Sequence, residues 1–152
     1  MDVAGKIIEV VSGQKLEAFL QQRILVPLGM RETSFTAPQA MLDRMPGLYQ
    51  LSSDKPATRA DEGWWTGAYG TPPRVTWGGH GLVSTPADYL RFARMIAAGG
   101  ELNGVRILSR TSVAMMTSAQ VSLSLPGVGE LAGAGWTYGF GTFVAMDPEA
   151  TG

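Results

Sequence analysis

The chain contains no cysteine, which excludes disulfides and thiolate metal sites. It has one histidine, His80, and a multi-imidazole metal centre cannot be built from one residue. Charge is sparse: 16% of the 152 residues are charged, the net charge is −1, and no basic block stands out. A nucleic-acid surface would lack its electrostatic footprint. No apolar run approaches the roughly 20 residues of a membrane-spanning helix. The opening MDVAGKIIEVVSGQ carries an acid and a lysine in its first turns and lacks a signal-peptide layout. No cofactor and no metal are expected.

What is present is a globular composition, 45% hydrophobic, long enough for a domain with its own core. Twenty glycines and nine prolines point to long, shaped loops. Val3, Ile7, Val10 and Val11 share one helical face, predicting a helix over about 2–13 that Gly13 ends. Asp2 is placed to cap it or to face its dipole. Leu16, Phe19, Leu20 and Ile24 repeat the pattern over about 15–26, before Pro27 and Gly29. Residues 31–80 look irregular, with a short helical turn around Met41 and an aromatic, Gly/Pro-rich loop over 46–82. A third helix, about 86–98, starts at Thr85-Pro86 with Asp88 in its first turn. Tyr89, Phe92, Ala93 and Ile96 are its expected buried stripe. Asn103-Gly104 signals a hairpin, and Ser109 caps a fourth helix over about 109–118. The period-two run 136–146 predicts one strand, with Trp136, Tyr138, Phe140, Thr142 and Val144 on one face.

Ser12-Gly13-Gln14-Lys15 matches Ser-x-x-Lys, in which a lysine amine helps activate a serine nucleophile. Such a serine sits at a helix start, with its lysine one turn along the same face. Ser12 instead falls beside Gly13, between two amphipathic helices. It is expected to be a helix-end or capping residue, with Lys15 a solvated side chain. Ser52-Ser53-Asp54-Lys55 is a second, chance match in a polar loop. Trp64, Trp65 and Tyr69 either wall an acyl pocket or, the commoner role, pin the long loop to the core. Asp61-Glu62 is expected at a solvated loop tip, Arg91 and Arg94 in surface ion pairs, and Met115-Met116 in helix packing.

Three blocks then carry a resemblance in combination: DVAGKIIEVVSGQKLEAFLQQRILVPLGMRETSF, GGHGLVSTPADYLRFARMIAAGGELNGVRILSRTSVAMM and GWTYGFGTFVAMDPEATG. Together they resemble the middle of the serine β-lactamase-related family, which includes class C β-lactamases, penicillin-binding carboxypeptidases and esterases of the same fold. The resemblance implies an α+β, β-lactamase/transpeptidase-like fold, present in part as a single domain over 1–152. It implies a serine hydrolase acting through an acyl-enzyme on amide or ester carbonyls. It also implies three catalytic motifs: Ser-x-x-Lys, a tyrosine motif, and a C-terminal Lys/His-Thr-Gly or Trp-x-Gly. By resemblance the chain starts just after the tyrosine and stops before the third motif, so it is expected to be an inactive internal segment. Trp77-Gly78-Gly79 imitates the third motif, but a helix start follows it rather than a strand. HGLVST puts His80 where class C enzymes carry a cleft-lining tyrosine, making His80, Gly79, Gly81 and Trp77 a substrate-binding cleft wall. The alternative for His80 is a surface or core-satisfied histidine. The implied partners are a small-molecule amide or ester in the intact parent, and the chain itself through an unpaired strand edge. The alternative function is a non-catalytic ligand- or partner-binding module of the same fold.

Overall fold

A computed structural model describes residues 1–47, 49–51, 56–59, 69–125, 128, 132–147 and 149. They form a mixed α+β structure in two compact units, Met1–Arg91 and Phe92–Gly152. Among the described residues no helix is long and apolar enough to cross a membrane.

The first unit begins with α1 (Asp2–Ser12), closed by Gly13 at φ 69°, whose N–H bonds to the Glu9 carbonyl. The apolar stripe predicted to be buried is not: Val3, Ile7, Val10 and Val11 are 57–82% exposed. The face turned inward is Gly5, Ile8, Glu9 and Ser12, again at helical spacing. Gly5 explains the choice. A Cβ there would lie 2.9 Å from Leu16 Cδ2 and 3.2 Å from Gly78 Cα, so its bare backbone admits close neighbours that Val or Ile would repel.

The second helical run is α2 (Leu16–Leu20), a π-helical turn (Gln21–Leu25) and α3 (Val26–Leu28), closed by Gly29 at φ 68°. Its buried residues are Leu16, Leu25 and Leu28, while the expected Phe19, Leu20 and Ile24 are half-buried. Val26 N–H reaches back five residues, to the Gln21 carbonyl. That extra residue rotates the rest of the run, so Leu25 takes the inward position that α-helical periodicity gives to Ile24. The wide turn immediately precedes Pro27, which lacks an N–H and would crowd the carbonyl four residues back. The run therefore continues past the expected end near residue 26.

The irregular stretch after it has order of its own. Thr33, Phe35 and Ala37 are buried and alternate with half-buried Glu32, Ser34 and Thr36, an extended pattern. The turn around Met41 is α4 (Gln39–Leu42). Within the expected loop, β1 (Tyr49–Gln50) pairs antiparallel with β2 (Thr58–Arg59). Tyr69 is half-buried and its carbonyl accepts Ala37 N–H at 2.6 Å. Trp64, Trp65, Asp61, Glu62 and Ser52–Lys55 lie outside the described residues.

Helix α5 (Pro86–Ala97) starts as its sequence dictates, with Asp88 N–H donating to Thr85 Oγ1 at 3.3 Å. Its inward line differs from the apolar one. Asp88 and Met95 are buried and Phe92 and Ile96 half-buried, whereas Tyr89 is 66% exposed and Ala93 is exposed. A carboxylate, not an aromatic ring, sets the orientation of the first turn.

In the second unit β3 (Glu101–Leu102) and β4 (Val105–Arg106) form a hairpin whose turn, Asn103 at φ 50° and Gly104 at φ 80°, is left-handed at both residues. Helix α6 (Arg110–Met116) is capped by Ser109 Oγ, which accepts Ser112 N–H at 3.0 Å. It buries Val113, while Met115, expected to pack, is 48% exposed. The single strand expected over 136–146 is two strands, β5 (Trp136–Tyr138) and β6 (Phe143–Ala145), antiparallel with Thr137 opposite Val144. The turn between them splits the predicted face. Thr137 is fully buried and donates to the Val121 carbonyl at 2.6 Å, and Tyr138 meets Phe143 on the other side, ring centroids 5.0 Å apart.

The helical junction generates a prediction. One Glu9 oxygen accepts Lys6 Nζ at 3.0 Å and the other accepts Leu16 N–H at 3.1 Å, capping α2 from α1. These bonds, the lysine's first, hold the Glu9 carboxyl below the usual carboxylate range, against a smaller opposing effect of burial. A depressed folded pKa stabilises above the unfolded value of about 4.3, and that stabilisation is lost as pH falls through the folded value. Melting temperature measured between about pH 6 and pH 3 is therefore expected to fall less steeply in Glu9→Gln than in the unmodified chain. Parallel curves would contradict the assignment.

Candidate functional site

The residues singled out by sequence fall on one short loop of the first unit, 76–81, laid across the start of α1. Gly78 has no room for a side chain: a Cβ would sit 2.5 Å from the Met1 carbonyl oxygen and 3.1 Å from Gly5 N. Two glycines thus let two backbones touch. Gly79 N–H donates to Asp2 Oδ1 at 2.8 Å, so Asp2 serves the loop rather than the N–H groups of its own helix. The loop reverses at Gly81, φ 98°, against the ring of buried Phe35.

Held at both ends, the loop stacks the Trp77 indole on the His80 imidazole, with centroids 5.6 Å apart and planes 15° apart. Trp77 is 46% exposed and His80 exposed. The pair presents one aromatic face and one group able to donate or accept a hydrogen bond, suited to positioning an acyl group or a ring.

The loop continues into a buried polar knot. Ser34 and Val83 form an antiparallel bridge through Ser34 N–H to Val83 O at 3.0 Å and Val83 N–H to Ser34 O at 2.9 Å. Beside it, Asp88 Oδ2 accepts Glu32 N–H at 2.7 Å and the Thr33 hydroxyl at 2.9 Å. Thr33 spends its only proton there, so at the 2.8 Å contact between the Thr33 and Ser84 hydroxyls, Ser84 donates. Sequence reasoning gave Asp88 only a place in a helix's first turn. Two signals could have found the knot: the alternation Thr33-x-Phe35-x-Ala37, and a polar residue in phase with Phe92 and Met95.

Ser12 and Lys15 are not brought together as a catalytic pair. Ser12 Oγ donates to the Ile8 carbonyl at 2.6 Å and accepts Gln14 N–H at 3.2 Å, so its proton is committed to the backbone. Lys15 lines an open groove of about 570 Å³ with Arg74 and Pro73. The surface ion pairs expected for Arg91 and Arg94 do not form; among the described residues neither guanidinium has an acidic partner.

The chain belongs to the β-lactamase family: the family's profile, described as Beta-lactamase, matches residues 1–151. It is similar to a protein of Mycobacterium tuberculosis, 33% identical over 122 residues, covering 80% of this chain and 30% of that protein. It is also similar to penicillin-binding protein 4 of Amycolatopsis lactamdurans, 34% identical over 119 residues, covering 75% of this chain and 29% of the relative. Among solved structures it superposes on unliganded simvastatin synthase from Aspergillus terreus with a TM-score of 0.75 at 22% identity, over 97% of this chain and 40% of that one. The architecture is therefore that of the β-lactamase/transpeptidase fold, and the chain spans about 30% of the length of the curated relatives.

The Asp88 knot supplies the prediction for this site. Asp88→Ala removes two charge-assisted bonds and strands two donors, and is expected to lower stability by roughly 2–4 kcal/mol in urea denaturation. Asp88→Asn keeps an oxygen where Oδ2 stands and should lose less than half as much. Equal losses would mean that the charge, not the acceptor geometry, holds the knot.

Proposed function

We propose that the chain is the helical portion of a serine hydrolase of this family, acting through an acyl-enzyme on an amide or ester carbonyl. The observation that carries the reading is the clamped loop 76–81, whose Trp77–His80 stack stands exposed while its backbone is fixed against α1. In this proposal Trp77, Gly79, His80 and Gly81 form one wall of the substrate cleft, with His80 touching the substrate. Family membership supports the reaction class, and one relative is named for binding penicillin, a cyclic amide. The exposed stripe of α1, with Val3, Ile7, Val10 and Val11, supports a larger enzyme as well, because such a face calls for apolar cover.

By itself the chain is proposed to be inactive, since the hydroxyl of Ser12, the first of its two Ser-x-x-Lys serines, is bound to the Ile8 carbonyl. Phe140, Phe143 and Met146, about half exposed on and beside the β5–β6 hairpin, are proposed to drive self-association of the isolated chain. The second reading, a non-catalytic module binding a ligand at the Trp77–His80 face, is favoured by the exposure of that stack.

A chromogenic cephalosporin and a short-chain nitrophenyl ester separate these readings. The isolated chain is expected to turn over neither, and no serine should be acylated by a penicillin in mass spectrometry. The reading frame extended on either side should encode an enzyme that hydrolyses at least one of them, losing roughly tenfold in kcat/KM in His80→Ala. Turnover by the isolated chain that vanishes in Ser12→Ala would overturn the reading. Quenching of Trp77 by ligand, with no turnover even in the extended enzyme, would establish the module.

A further inference from the structure

The second unit contains a concavity that the proposed hydrolase chemistry does not use. It is an open groove of about 330 Å³ between the end of α5, the β3–β4 hairpin and the first residue of α6. Three of its lining side chains are arginines, Arg94, Arg106 and Arg110, and one is an acid, Glu101. Arg106 is already fixed: Nη1 donates to the carbonyls of Gly99 and Leu108, both at 3.1 Å, and Nη2 pairs with Glu101. Arg94 and Arg110 have no ion-pair or hydrogen-bond partner for their guanidiniums among the described residues. Three cations against one anion leave two uncompensated positive charges on a single concavity.

All three arginines are solvent-exposed, so their mutual repulsion is screened, and what the groove offers an anion is two guanidiniums without an acidic partner among the described residues. Guanidinium is also the group whose planar fork matches oxyanions, each edge offering two parallel N–H donors. Arg106 has both Nη1 protons on carbonyls and Nη2 on Glu101, so it borders the groove as a fixed, already neutralised group and leaves the ligand to Arg94 and Arg110. Asn103, held at φ 50° in the hairpin turn, adds an amide at the rim. The volume lies at the small end of the range for ligand cavities, about 300–1,000 Å³. A carboxylate brings one charge and two oxygens. A phosphate group brings up to two charges and three oxygens, matching the two excess charges and the two free forks of Arg94 and Arg110.

We propose that this arginine-lined groove is a phosphate-binding site, taking either inorganic phosphate or the phosphate group of a small monoester. The site rests on Arg94 and Arg110 as free forks, with Arg106 held in its own bonds at the edge. It is independent of the Trp77–His80 loop, so it stands or falls separately from the hydrolase reading.

Isothermal titration calorimetry of the full chain tests it, with inorganic phosphate and glycerol 3-phosphate as ligands and sodium chloride holding ionic strength constant. A saturable one-to-one isotherm is expected for at least one of them. Acetate should bind more weakly. The Arg94→Gln/Arg110→Gln variant should bind at least about tenfold more weakly, while Arg23→Gln, altering an exposed arginine on the π-helical turn, should bind as the unmodified chain does. Arg94→Lys/Arg110→Lys keeps the charges and loses the forks, so an intermediate affinity is expected, and it serves if the glutamine variant folds poorly by circular dichroism. Tighter binding of the monoester would identify an organic phosphate as the ligand, and equal binding the free ion. Absence of saturation for both ligands overturns the proposal, as does affinity unchanged in both arginine variants.

Discussion

The first unit depends on a carboxylate that leaves water. Burying an ionised aspartate costs several kcal/mol unless its oxygens are occupied. Asp88 meets that condition at one oxygen, Oδ2, through the backbone of Glu32 and the hydroxyl of Thr33, residues more than fifty positions away in the chain. The bond therefore does two jobs at once. It fixes the first turn of α5, and it draws the 32–37 segment alongside residues 83–84, where the Ser34–Val83 bridge completes the join. The loop that carries Trp77 and His80 ends at that join. Without the Asp88 bonds, the far end of residues 76–84 would keep only the Ser34–Val83 bridge and the contact of Gly81 with Phe35.

The other anchor works by subtraction. Gly5 and Gly78 contribute nothing except the absence of a Cβ, and that absence lets two backbones meet. A helix that carries an apolar stripe on one side and a glycine on the other could pack either way. Here close backbone contact, the Gly79–Asp2 hydrogen bond and the Glu9 cap of α2 determine the inward side, and the valines face out. Hydrophobicity alone would give the opposite orientation, which is why the stripe marks a surface requiring cover rather than the unit's own core.

How much of this was legible in sequence depends on what each device is made of. Helix starts and turns announced themselves, because Thr85-Pro86, Ser109 and Asn103-Gly104 act through local geometry that a few adjacent residues determine. The family could be recognised from three blocks in order. Burial was less legible. Apolar periodicity assigned Tyr89 and Ala93 inward and left out Asp88, since a pattern of hydrophobic residues cannot register a polar one whose partners lie far along the chain. The hairpin at 136–145 was hidden because its turn preserves period-two chemistry while reversing the chain. Trp77, Gly79, His80 and Gly81 were singled out by resemblance, and their nearness follows from sharing one short loop. The information added by the structure is what clamps them, and neither Asp2 nor Gly5 carried any signal of that role.

The π-helical turn at Gln21–Leu25 divides one continuous helix into two reference frames. Residues before it obey one assignment of inside and outside, and residues after it obey another, offset by a single position. A relative whose corresponding helix is purely α-helical would match this chain on only one side of that turn unless a gap is placed inside an unbroken helix. Substitutions transferred between the two proteins by simple alignment would then put a core leucine where Ile24 stands and a surface residue where Leu25 stands. The turn is thus a place where sequence correspondence and structural correspondence part by one residue, without any visible break in the backbone.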